Sequence, residues 1–202
     1  MPTVKVGLDQ WVLTSNQGNK QQVHLVTSGL SGCVALALAS KKQRCLAHVF
    51  SDCNEKNNNF RAYAEKLKIP LESMREENEA GEIEAALVYS EGTNAFLPDN
   101  LSEWLREEMG VKTIDRFNDT SGCRVSYHKI GNWRLRKKEQ DGPEYYGGDD
   151  VVTASAAGVM RIDGFGKLSD YAADAGEGDA DAGEADAGAG DKSPGEFIFY
   201  SK

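Results

Sequence analysis

Hydrophobic and polar positions along the chain alternate more often than they recur at helical spacing. Residues 22–27 (Gln22-Val23-His24-Leu25-Val26-Thr27) read as a strand, and the Gly/Ser stretch 28–32 that follows reads as a turn. From Cys33 to Ala39 large and small residues alternate, Val34, Leu36 and Leu38 against Ala35 and Ala37, which predicts a strand with two unequal faces. Residues 40–43 interrupt it and residues 44–50 are apolar again, so the two segments form a hairpin. Downstream, residues 57–67 carry Phe60, Tyr63, Ala64 and Leu67 at helical spacing, with Pro70 as the stop. Residues 83–89 predict a strand, and residues 100–109 a helix capped by Asn100 or Ser102 and ended by Gly110. Residues 111–117, 123–128 and 133–137 alternate as strands, the last two as a hairpin around Gly131-Asn132, and residues 151–162 supply another. Strands dominate with two helices inserted. The expected class is α+β, with packed, sandwich-like β-sheets flanked by helices.

The hairpin has a register that can be derived. With Ser40 and Lys41 as its two-residue loop, Ala37 faces Arg44, Ala35 faces Leu46 and Cys33 faces His48. Directly opposed residues have Cβ atoms about 4.5–5.5 Å apart, so this register sets a thiol beside an imidazole. The alanines leave that face open. A thiol becomes a nucleophile when an imidazole takes its proton. The Ser31-Gly32 turn brings backbone N–H groups that can hold an oxyanion. Thr27, at the end of the preceding strand, is the candidate to orient the histidine. Two other readings stay open: a buried cysteine beside a satisfied histidine, or Cys33 at the start of a helix capped by Ser31, as in papain-like proteases. His24, His128 and Asn94 are weaker site candidates, and Trp104 and Trp133 are packing residues.

Composition narrows the picture. The 202 residues carry 40% hydrophobic and 27% charged side chains, which describes a soluble globular chain. No stretch approaches the roughly 20 apolar residues of a membrane span, and no secretory signal opens the chain. The formal charge of -9 sits mostly in eight acidic residues between Asp170 and Asp191, so the remainder is nearly neutral and no basic nucleic-acid surface is indicated. Three units follow: 1–168 as the catalytic domain, 169–192 as an acidic Asp/Ala/Gly-rich flexible segment, and 193–202 as a strand returning to the domain. Asp179, Asp181 and Glu184 match neither an EF-hand loop nor a calcium-binding nonapeptide repeat. The cysteines (Cys33, Cys45, Cys53, Cys123) have no zinc-like spacing and are expected as reduced thiols.

Thr27-Ser28-Gly29-Leu30-Ser31-Gly32-Cys33, followed by His48, resembles the Cys-His glutamine deamidases. That group includes the chemoreceptor deamidase CheD, the catalytic domain of cytotoxic necrotizing factor and the Burkholderia lethal factor. Glu91-Gly92-Thr93-Asn94, the helix at 100–109, residues 115–125 and 131–136 follow the CheD order, so the likeness spans roughly residues 20–137. The resemblance implies a CheD- or necrotizing-factor-like fold and hydrolysis of a protein glutamine side chain to glutamate. Carried over, Cys33 is the nucleophile, His48 the general base and then acid, and Thr27 the orienting group. It implies no metal or organic cofactor. The partner is a protein bearing a reactive glutamine. The turn Leu30-Ser31-Gly32-Cys33 departs from the Leu-Gly-Ser-Cys of CheD, Arg44-Cys45-Leu46-Ala47 replaces its Gly-Gly approach to the histidine, and the acidic segment is foreign to it. These departures favour a bacterial effector, delivered into a host cell without a signal peptide, over a cytoplasmic chemotaxis enzyme.

Overall fold

The computed structural model describes residues 3–15, 23–52, 59–78, 82–125, 133–137, 149–150 and 162–168. The strands are β1 (Thr3–Lys5), β2 (Gln10–Ser15), β3 (His24–Ser28), β4 (Val34–Ala39), β5 (Gln43–Val49), β6 (Glu84–Tyr89), β7 (Thr113–Phe117), β8 (Thr120–Val125), β9 (Trp133–Lys137), β10 (Asp149–Asp150) and β11 (Ile162–Lys167). The helices are α1 (Phe60–Glu77) and α2 (Phe96–Glu107). One sheet has the order β10-β1-β3-β8-β9 and the other β11-β2-β5-β4-β6-β7. The chain is thus α+β, mostly sheet, with two helices among the described residues.

Two apolar clusters define three layers. The inner one joins Val4, Leu25, Cys123 and Val125 of the first sheet to Val12, Ala35, Ala37 and Leu46 of the second, so the sheets pack face to face. The outer one joins the opposite face of the second sheet, including Leu36, Leu38 and Leu87, to Leu67, Leu71, Leu101 and Trp104 of the helices. The alternation along β4 is therefore a choice between two cores. Its leucines and Val34 face the helices, and its alanines face the other sheet. The alanine face is not open, as its sequence suggests, but fully buried. Small side chains there let the second layer approach closely.

The β4–β5 register differs from the derived one. His48 lies opposite Ala35, and Ala39 opposite Arg44. The reason is the Ser40 side chain. Its Oγ accepts the N–H groups of Lys42 and Gln43 at 3.3 and 3.0 Å, while Ser40 N–H donates to the Gln43 carbonyl at 3.0 Å. Ser40 and Gln43 become the closing pair, and Lys41 and Lys42 the loop. Moving the loop by one residue shifts cross-strand partners by two, which preserves the face on which every side chain lies. Cys33 and His48 therefore share the inner face but stand on a diagonal rather than directly opposite.

Helix boundaries differ as well. Pro70 does not stop α1, which runs through it to Glu77. Pro70 belongs to the buried stripe with Leu67, Leu71 and Met74, and burial of that stripe outweighs the missing N–H. α2 begins at Phe96, earlier than residue 100, with the Asn94 carboxamide oxygen accepting the Phe96 N–H at 2.9 Å. Gly110 ends the region with φ +62, and Val111 N–H returns to the Leu105 carbonyl. β8 and β9 pair antiparallel as the hairpin reading requires, though β8 starts at Thr120. The Gly131-Asn132 turn, His128, residues 151–161, the acidic segment 169–192 and the terminal segment 193–202 lie outside the described residues. No helix among the described residues is long and apolar enough to cross a membrane.

Candidate active site

Thr27 and His48 come from different sheets and meet across the inner core. Thr27, fully buried near the end of β3, has its Oγ1 2.8 Å from His48 Nδ1 and 2.8 Å from the Val6 carbonyl oxygen. A carbonyl only accepts, so the single hydroxyl proton goes to Val6. The oxygen therefore accepts from the ring, which places the proton on Nδ1 and leaves Nε2 as the basic nitrogen. Val6 itself is held by its N–H on the Val26 carbonyl at 2.8 Å, just past β1. Thus Val6, just past β1 of the first sheet, sets the tautomer of a histidine on β5 of the second.

His48 Nε2 is buried and has no hydrogen-bond partner among the described residues. Burial pulls the ring's pKa from 6.5 down to about 4, so the imidazole is neutral near pH 7. A neutral ring with its bare nitrogen in a dry setting can take a proton.

Cys33 follows the turn 28–32, in which Gly29 and Gly32 have φ of +74 and +84. The thiol is 5% exposed while Ser31 stands in solvent, so the sulfur lies just beneath the surface. Burial raises its pKa. The backbone N–H and hydroxyl of Ser51, both hydrogen-bonded to the sulfur, pull the other way, and the Asp9 charge adds to the rise. Gly32 supplies the positive φ the turn needs, and an added Cβ would sit 3.3 Å from the Ser51 Cβ, a tight contact that Ser51 would have to relieve by a few tenths of an ångström. The turn is braced from β6, where Ser90 Oγ donates to the Leu30 carbonyl at 3.0 Å.

The sequence-derived trio is thus only partly joined. Thr27 and His48 are hydrogen-bonded, whereas Cys33 shares their face but bonds to Ser51. Both reactive groups rest uncharged, a thiol and a neutral imidazole rather than an ion pair. Ser51, Ser90 and Asp9 escaped the sequence reading. Ser51 and Ser90 lie just beyond strand ends with no motif around them, and Asp9 precedes a strand that was not predicted. Leu8 and Phe50, 52% and 37% exposed, are the chain neighbours of Asp9 and Ser51 and make that surface partly apolar.

The other candidates separate from this site. Asn94 stands just before α2, where its Oδ1 accepts the Phe96 N–H, and Trp104 packs in the helix-side core. Cys45 and Cys123 are wholly buried thiols whose pKa is pushed far up by desolvation, as inert structural cysteines are. Cys53 is outside the described residues. His24 stands at the start of β3, half-buried. No group of three His, Cys, Asp or Glu residues among those described is placed to hold a metal ion. No protein-family model and no curated protein matches this chain.

Proposed function

We propose that the protein is a glutamine deamidase working through a cysteine thioester. The observation that carries this reading is the Thr27 hydroxyl, committed to Val6 and His48 together, which leaves a bare imidazole nitrogen on the face that Cys33 occupies. Cys33 Sγ gives its proton to His48 Nε2 and attacks the carboxamide carbon. The imidazolium then protonates the departing nitrogen, ammonia leaves, and a thioester remains. Water, deprotonated by His48, opens the thioester to glutamate and restores the thiol. N–H groups of the 28–33 turn are the nearby donors for the oxyanion. The mixed two-sheet, two-helix architecture agrees with a CheD- or necrotizing-factor-like fold at the coarse level.

The substrate in this proposal is a glutamine on a protein surface, for which the exposed Leu8 and Phe50 offer apolar contact. A host protein is the leading target and a chemoreceptor the alternative. One observation favours a second reading, an inert binding module on the same fold: the thiol is bonded to Ser51, and Nε2 makes no bond to it. Catalytic hydrogen bonds are often long in the free enzyme and tighten around substrate, which is why the deamidase reading stands first.

The test is ammonia release from a bacterial receptor preparation and, separately, from a eukaryotic cell lysate, each treated with wild type and Cys33→Ser. Cys33-dependent ammonia from one of them, with glutamine converted to glutamate by mass spectrometry, is the expected result and identifies the target side. Equal signals from wild type and variant in both would reject the enzyme in favour of the binding module. Chain cleavage would make it a protease, and amine incorporation a transglutaminase.

A further inference from the structure

Resting on the thioester step of the deamidase reading, we propose that Ser90 is a positioning residue, whose hydroxyl holds the turn before Cys33 so that its N–H groups meet the oxyanion of acyl transfer. The β4–β6 pairing ends with Val34 opposite Tyr89, so Cys33 and Ser90 are the next residues out on neighbouring strands. Ser90 Oγ donates to the Leu30 carbonyl at 3.0 Å. The Leu30 side chain is fully buried in the inner core, so this residue is held at both its side chain and its carbonyl. A trans peptide unit is planar. Fixing the Leu30 carbonyl therefore also fixes the Ser31 N–H of the same unit.

The turn has need of such a brace. Gly29 and Gly32, at φ +74 and +84, flank the Leu30–Ser31 unit, and glycine has no Cβ to restrict its torsions. Donors to an oxyanion act best when they are aimed before the charge develops. Ser90 is itself held from its own turn. Its single proton goes to Leu30, so its oxygen accepts from the Thr93 hydroxyl at 3.4 Å, and the Thr93 N–H donates to the Ser90 carbonyl at 3.0 Å. Glu91-Gly92-Thr93, part of the sequence likeness but of no chemical step, is then the turn that carries the brace.

The experiment separates two reactions of one thiol. With p-nitrophenyl acetate, Cys33 Sγ bonds to the carbonyl carbon, its proton passes to His48, and p-nitrophenolate leaves from a tetrahedral oxyanion. Iodoacetamide alkylates the same sulfur by displacement of iodide, with no oxyanion. Both rates are measured in wild type, Ser90→Ala, Ser90→Thr, Thr93→Val and Cys33→Ser. Mass spectrometry of peptides assigns the modified residue, and circular dichroism checks the fold. Ser90→Ala should slow acylation about fivefold to thirtyfold while alkylation stays within about twofold of wild type, because the lost hydrogen bond is felt only where an oxyanion forms. Ser90→Thr keeps the hydroxyl and should restore most of the acylation rate. Thr93→Val leaves the turn before Cys33 untouched and should show the same split at smaller size. Equal falls in both reactions would overturn the assignment and make Ser90 a general support of the fold around Cys33. No fall in acylation would overturn it too. If acylation of wild type does not exceed that of Cys33→Ser, the thiol nucleophile falls and takes this assignment with it. The split without Cys33-dependent ammonia from either preparation would uphold the assignment and reject the deamidase reading.

Discussion

At the residue scale the proposed chemistry rests on one hydroxyl. Thr27→Val keeps the volume but strips a partner from the Val6 carbonyl and from His48 Nδ1–H, each buried. Leaving such groups unpaired costs about 1–3 kcal/mol apiece. The expected outcome is a clear loss of stability in urea titration and a tenfold to hundredfold fall in kcat, with Thr27→Ser restoring most of both. The histidine carries its own pH signature. Its folded pKa of about 4 lies below the ordinary 6.5, so the unfolded chain binds this proton first as pH falls. Stability from this group is fully present above pH 6.5 and is lost as pH drops toward 4, by roughly 3 kcal/mol at most. Unfolding midpoints at pH 7 and pH 4.5 should differ less in His48→Asn than in wild type; an equal difference would contradict the assignment. Because the Cys33 pKa is raised, alkylation by iodoacetamide should climb steeply at alkaline pH. A plateau at neutral pH, the mark of a resting thiolate–imidazolium pair, would refute the neutral resting state.

At the scale of elements, the decisive pieces are short connections. The 28–32 turn delivers Cys33 beneath Ser51, and Gly32 is the residue that lets the two approach. Gly32→Ala meets both a strained φ and a 3.3 Å contact with Ser51, so about 1–2 kcal/mol of destabilisation is expected from the backbone alone. Displacing Ser51 also removes the donors that lower the thiol pKa, so Gly32→Ala and Ser51→Ala should both slow Cys33 alkylation at fixed pH. Faster alkylation in either would show that Ser51 shields the sulfur rather than activates it. The β4–β5 hairpin shows a local group overriding a derived register. Ser40 closes the loop through its own side chain, and His48 moves one diagonal step from the cysteine.

For the whole molecule, the inner seam is built from alanines, and its narrowness lets Thr27 of one sheet reach His48 of the other. Ala37 faces Leu46 on one side and Ala86 on the other. Ala37→Leu adds apolar volume, yet it should destabilise the protein by about 1–3 kcal/mol through overpacking. It should also lower activity, because spreading the sheets stretches the Thr27–His48 bond. A more stable, fully active variant would mean that the seam has room to spare. Leu38→Ala on the helix side creates a cavity instead, with an expected cost of about 2–5 kcal/mol and far less effect on kcat.

Local periodicity was enough to place β4, β5, β6, β9 and the cores of both helices, because each has one dominant face or a clear boundary. It also put Cys33 and His48 on one face, since a register error of two residues leaves strand parity unchanged. β1 and β2 were not legible. β1 is three residues long, and β2 is buried on both faces from Trp11 onward, so neither has the alternation that marks a half-buried strand. The passage of α1 through Pro70 depended on a stripe buried against the sheet, which no local signal weighs. Its place at the end of the strand before Cys33, and then the motif, nominated Thr27 as the partner of His48, but the proton assignment came from Val6, a residue on the unpredicted strand side. Asp9, Ser51 and Ser90 belong to the site for the same reason: their positions follow from how strands of distant sequence are layered. The sequence by itself determined which residues could do chemistry and which face they shared. Only the tertiary structure decided which of them touch, because contact between sheets depends on layer spacing and strand order rather than on local pattern.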